Sequence, residues 1–182
     1  MLGYEAGGDD YLIKSSTADE LKAKLSKIAA YSYEKKSLTD SVDSAQKTAI
    51  EAMSTSFELG KAVRFAERSF SAWSFDTLGE YLMDFLRDLQ LSAVAMFTCR
   101  EGQFYYSSTS TKVAPLEIEL MQLLHNDERF TDFGCRTQVN YPNVALLIKN
   151  MPLEDAGRYG RLKDTFPFVL GTTNTKVRMI RR

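Results

Sequence analysis

The chain has 182 residues, with 23 Lys and Arg against 24 Asp and Glu, a formal net charge of −1. That balance argues against a basic nucleic-acid-binding domain, and no apolar run approaches the ~20 residues a membrane-spanning helix needs. A hydrophobic content of 44% supplies the apolar surface for a packed core, and the length suits one domain plus an extension at ~100–150 residues per domain.

Two cysteines, Cys99 and Cys135, lack CxxC spacing, and His125 is the single histidine. A zinc site needs about four ligands, so no metal and no cofactor is expected. The acidic N-terminus does not read as a signal peptide, and reduced thiols are then the default, which makes the cytoplasm the expected location.

In chain order, Asp10 to Lys14 encloses the apolar pair Leu12-Ile13 and reads as a short buried strand. Thr17 followed by Glu20 is a capping-box pattern, and the helix it opens carries Leu21, Leu25 and Ile28 on one face. From Leu38 a heptad seam begins: Leu38, Val42, Ala45, Ala49, Ala52, Ser56, Leu59, Val63, Ala66 and Phe70 alternate steps of four and three. A 3.5-residue repeat of that length favours a left-handed supercoil between helices. Two readings stay open, a parallel dimer through this seam and a single amphipathic helix packed on its own domain. The second apolar row, Ile50, Met53 and Phe57, supports the latter.

After an interruption at Ser71–Ser74, a core-facing helix carries Leu78, Tyr81, Leu82, Phe85, Leu86 and Leu89, with Asp76 as its expected N-cap. Residues 92–99 read as a strand buried on both faces, joined through a glycine-containing turn at 100–103 to a partner from Phe104. Pro115 starts a further helix that ends near His125. Residues 130–140 are mixed in pattern. Val144 to Ile148 is a continuous apolar strand, paired as a hairpin with 135–139 across Asn140-Tyr141-Pro142-Asn143. Leu153-Glu154-Asp155 opens a helix with Tyr159, Leu162 and Phe166. The order gives an α+β fold, with a long coiled-coil-like helix before an antiparallel sheet flanked by helices.

The run Gly7-Gly8-Asp9-Asp10-Tyr11-Leu12-Ile13-Lys14, followed by a helix, resembles the last strand and helix of a two-component receiver domain. The strings Glu58-Leu59-Gly60, Phe133-Gly134-Cys135-Arg136-Thr137, Leu146-Leu147-Ile148-Lys149-Asn150-Met151-Pro152 and Gly160-Arg161-Leu162-Lys163-Asp164 resemble the GAF-like region found after receivers in some bacterial response regulators. The resemblance implies four parts: a truncated receiver end at 1–30, a signalling and dimerisation helix at 31–70, a GAF-like domain at 71–166 and a disordered basic tail at 167–182. The family's last helix would continue there, but Pro167, Gly171, Thr172-Thr173-Asn174 and the residues from Lys176 to Arg182 in that tail do not fit a helix.

By the same resemblance, Lys14 is the phosphate-contacting lysine, while the acidic pocket and the phosphate-accepting aspartate would precede Met1. Ser15 stands where the family places proline. The implied function is phosphorelay signal transduction, with a phosphorylation-dependent change relayed through a helical homodimer to the GAF-like domain. A cognate histidine kinase is a partner only if a complete receiver exists upstream.

The alternative is a small-molecule sensor whose pocket would involve Phe97, Tyr105, Arg136 and Leu147. A solvated sheet edge is the preferred account of the polar residues Arg136, Asn140, Lys149 and Asn150. No Gly-rich phosphate loop, nucleophile elbow or kinase signature appears, so an enzyme is not expected, nor is a membrane or nucleic-acid partner.

Overall fold

The computed structural model describes residues 17–125 and 128–180. The expected receiver strand, Asp9-Asp10 and Lys14 lie outside the described residues. The chain divides into two compact units, Met1–Ile50 and Glu51–Arg182. Helix α1, Ala18–Phe70, runs through that division as 53 continuous residues.

In the first unit, α1 opens with the expected capping box. Thr17 N–H donates to Glu20 Oε2 at 3.0 Å, and Glu20 N–H donates to Thr17 Oγ1 at 3.4 Å. The expected boundary at residue 30 has no counterpart in the helix. Residues 31–37 hold neither proline nor glycine, so nothing stops the helix there. Its apolar side chains from Leu21 to Val42 stand exposed.

The second unit begins twenty residues earlier than expected, because residues 51–70 of α1 belong to it. There follow α2 (Phe75–Asp88), β1 (Ala93–Cys99), β2 (Gly102–Ser107), α3 (Pro115–Leu124), β3 (Phe130–Phe133), β4 (Arg136–Tyr141), β5 (Val144–Ile148) and α4 (Ala156–Met179). The strands form one antiparallel sheet in the order β2-β1-β5-β4-β3. The central strands β1 and β5 are those whose apolar runs were continuous, as burial on both faces requires.

Period-two alternation sends the side chains of these strands to two cores. Ala93, Ala95, Phe97, Val144, Leu146 and Ile148 face the larger one, which α1, α2 and α4 close with Phe65, Leu82 and Phe166 among others. Val94, Met96, Ala145 and Leu147 face the smaller core under Met121 of α3. Polar side chains hold α3 in place: Gln138 Nε2 donates to the Met121 carbonyl at 3.1 Å, Asn140 Nδ2 to the Leu124 carbonyl at 2.7 Å, and Lys149 pairs with Glu117 at 3.0 Å.

Two expectations need correction here. The N-cap of α2 is Ser74, whose Oγ accepts from Thr77 N–H at 3.1 Å, while Asp76 Oδ1 instead accepts from the Tyr106 hydroxyl. Of the tail expected to be disordered, residues 167–179 form the second half of α4, with Val169, Leu170, Thr173 and Val177 buried. Burial of that row outweighs the low helix propensity of its Gly, Thr and Asn residues, and it absorbs a proline at 167 that would break an isolated helix. The Pro167 carbonyl accepts from Tyr141 Oη at 3.0 Å, which ties that turn to the sheet.

Candidate functional site: an unpartnered seam on the long helix

The second unit grips α1 by Glu58, Ala62, Phe65 and Ser69, a row at steps of four, three and four. This is not the heptad seam. Leu38, Val42, Leu59 and Val63 keep between 42% and 67% of their surface exposed. Ala45, Ala49, Ala52 and Ser56 are exposed with them. The second row, Ile50, Met53 and Phe57, is exposed too.

Residues flanking the seam are suited to burial. Between Thr39 and Thr55 the flanking positions are Thr39, Ser41, Gln46, Thr48, Met53 and Thr55, none of them charged. The charges Asp40, Asp43, Lys47 and Glu51 point elsewhere round the helix by their spacing. Each flanking hydroxyl donates to the carbonyl four residues back: Thr39 to Lys35 at 2.9 Å, Ser41 to Ser37 at 2.8 Å, Thr48 to Ser44 at 3.0 Å and Thr55 to Glu51 at 2.9 Å. A hydroxyl with a partner in its own helix loses little when water is removed.

The expected ligand pocket is not assembled. Phe97 and Leu147 are buried on opposite faces of the sheet, Phe97 in the larger core and Leu147 in the smaller. Tyr105 packs on the side of Leu147, and its hydroxyl donates to Gln103 Oε1 at 2.8 Å. Arg136 is exposed where β4 begins, beside edge strand β3. The other polar candidates hold the fold together. Asn150 Oδ1 accepts from Ser92 N–H at 2.7 Å, and its Nδ2 donates to the Gln90 carbonyl at 3.1 Å.

A groove of about 710 Å³ opens elsewhere, at one end of the sheet, between the β1–β2 turn and the last turn of α4; Phe75, Cys99, Arg100, Asn143 and Arg178 are among its walls. Cys135 is exposed and Cys99 partly buried. His125 caps the C-terminus of α3, and its Nδ1 is buried without a hydrogen-bond partner among the described residues. Among the described residues, no group of three or more His, Cys, Asp or Glu side chains is placed to hold a metal ion. Nor is any helix there long and apolar enough to cross a membrane.

Sequence reasoning missed one charged cluster. Asp132 on edge strand β3 accepts from Thr137 Oγ1 at 2.7 Å, from Tyr159 Oη at 3.2 Å and from Lys163 Nζ. Burial pushes the Asp132 carboxyl up, but the Lys163, Thr137 and Tyr159 hydrogen bonds and the Lys163 charge outweigh it. The net result holds Asp132 below its ordinary value of 3.8. Burial likewise pushes Lys163 down, and its bonds to Asp132 and Tyr159 hold it above 10.5. Tyr159 and Lys163 lie four apart on α4, a spacing visible in the sequence, but their partner on β3 was not.

No protein-family model matches the chain, and no curated protein matches it.

Proposed function

We propose that this chain is a non-enzymatic, cytoplasmic signal-relay module of response-regulator type. A phosphorylation-dependent change arising upstream passes through a homodimeric α1 to a GAF-like C-terminal domain. The observation that carries this reading is the heptad seam of α1, exposed and uncharged, on a helix held to its own domain by a different row. A cognate histidine kinase acts on it where a complete receiver precedes the chain.

Magnitudes favour a reversible pair over a permanent zipper. Burying a Leu or Val gains roughly 1.5–3 kcal/mol. The four large seam residues, about half exposed, therefore offer on the order of 8 kcal/mol for two chains. Association costs about 4–15 kcal/mol. The small residues Ala45, Ala49 and Ala52 bring backbones close while adding little area, which suits a helix pair that takes two arrangements.

The test is molar mass in solution by light scattering. Ala49→Lys with Ala52→Lys places two charges in the seam and reduces a dimer to the 20.6 kDa chain. A dimer that survives both substitutions contradicts the reading.

A second reading, a small-molecule sensor independent of phosphorylation, draws on the groove at the sheet end, whose lining includes Arg100 and Arg178 beside Glu101 and the apolar Phe75. Thermal shift against a panel of anionic metabolites tests it. Stabilisation that Arg178→Ala removes supports this reading, and no shift with any compound counts against it.

A further inference from the structure

Within the second unit, α1 and α4 run side by side. Arg161 Nε donates to Glu58 Oε2 at 3.1 Å between mostly buried side chains, and Lys176 Nζ donates to the Phe70 carbonyl at 2.9 Å. Apart from the rows that face the core, each helix turns an apolar row outward. On α1 it is Leu59, Val63 and Phe70; on α4 it runs from Phe168 to Met179 through Thr172 and Thr175, at steps of four, three and four. A groove of about 300 Å³ separates Phe70 from Met179. The sole tryptophan, Trp73, is 86% exposed at the same edge, with Lys176 Nζ 5.5 Å from its ring centre.

We propose that this shared face of α1 and α4 receives the same face of a second copy of the chain, so that the dimer is closed by four helices and not by two. The inference rests on the dimer reading above and adds α4 and Trp73 to the interface. Three observations select a second copy as the occupant. First, the row on α1 is the continuation of the heptad seam, so the face extends the surface already assigned to dimerisation. Second, the hydroxyls within the α4 row already have partners: Thr172 donates to the Phe168 carbonyl at 2.9 Å and Thr175 to the Gly171 carbonyl at 3.0 Å. The row itself holds no charge, and Lys176, which lines the groove beside it, is held within its own chain by the Phe70 carbonyl and the Trp73 ring.

Third, the area fits. Phe70 is 71% and Phe168 47% exposed. With Trp73, at ~150–250 Å² for a buried aromatic, they offer on the order of 400 Å² per chain. That is about half of the ~800 Å² per partner in a standard interface. The seam, which alone gives only a marginal balance, supplies the remainder.

The test follows Trp73 emission and molar mass together while the full chain is diluted. The expected result is a shift of emission to longer wavelength in step with the halving of mass. Phe168→Glu with Met179→Glu then raises the dimer dissociation constant at least tenfold with an unchanged circular dichroism spectrum. If that variant loses helix, Thr175→Lys, at an exposed position, carries the same expectation. Should the mass double while these variants dimerise as the wild type does, the α4 face is refuted and the seam stands, whatever the emission does. Wild-type mass at 20.6 kDa at every concentration refutes both.

Discussion

Gly79 in α2 sets helix propensity against packing. Replacing glycine by alanine inside a helix gains about 1 kcal/mol from propensity. Here the new Cβ falls 2.5 Å from Tyr106 Cδ1 and 2.6 Å from its Cγ, distances no real Cβ tolerates. The ring cannot swing away cheaply. Its hydroxyl donates to Asp76 Oδ1 at 3.0 Å, and its centroid lies 5.0 Å from that of Phe97, which is fully buried. Overpacking of this kind costs about 1–3 kcal/mol and at times more. A 2.5 Å contact with a tethered ring puts the cost above the gain, so Gly79→Ala destabilises by up to about 2 kcal/mol. Urea unfolding at one fixed protein concentration measures it, since self-association of any chain makes its apparent stability concentration-dependent. In a Tyr106→Ala background the clash is gone, and the same substitution should stabilise by up to ~1 kcal/mol. A Gly79→Ala midpoint at or above wild type, with Tyr106 in place, refutes the reasoning.

Ser74→Ala should cost about 1 kcal/mol through loss of the α2 cap, whereas Asp76→Asn, which keeps an acceptor for Tyr106, should cost less; thermal denaturation ranks the two. Leu170→Ala should cost roughly 2–5 kcal/mol in urea unfolding, as for a fully buried leucine; a cost near zero would restore the disordered tail. For Asp132→Asn the sign follows from the depressed carboxyl. Its stabilisation is present above the unfolded value near 3.8 and is lost as pH falls through the lower folded value. Wild type should therefore exceed the variant at pH 7 by a modest margin, about 0.2–1 kcal/mol for a pair this exposed, with the gap closing below pH 3.8. Lys163, held above 10.5, keeps its contribution until pH rises past that value. A gap that persists unchanged at pH 3 would show that the charge is not its source.

Much of this fold is legible in the residues because local and tertiary preferences agree. Thr17 and Glu20 form the capping box their spacing requires, and Val144–Ile148 is the central strand its apolar run implies. Glycine at 102 takes the positive φ that the β1–β2 turn needs. The failures have one cause, contacts distant in sequence. In the sequence Phe97 and Leu147 are free to share a pocket, because nothing local fixes which way each points. The antiparallel register of β1 on β5, Val94 opposite Leu147, puts Phe97 on the other face. Residues 167–179 lack helix propensity, and only the sheet beneath explains their helix. Strand β3 is four residues at a sheet edge, too short for alternation to declare itself. The seam was legible as a pattern, but its exposure was not, since the choice between the seam and the Glu58–Ser69 row depends on α2 and α4.

The claim that α1 pairs in parallel and in register through its seam is tested most directly by disulfide trapping. In a chain with Cys99 and Cys135 replaced by alanine, Ala49→Cys puts a thiol in the seam, and Lys47→Cys puts one two residues away on the side of the helix opposite the seam. A parallel pair holds two seam cysteines close to the ~5.5–6 Å Cα separation a disulfide needs. Mild oxidation should convert the Ala49→Cys chain to a covalent dimer on a non-reducing gel and leave the Lys47→Cys chain at 20.6 kDa. Equal trapping of both variants, or none with Ala49→Cys, would contradict the account.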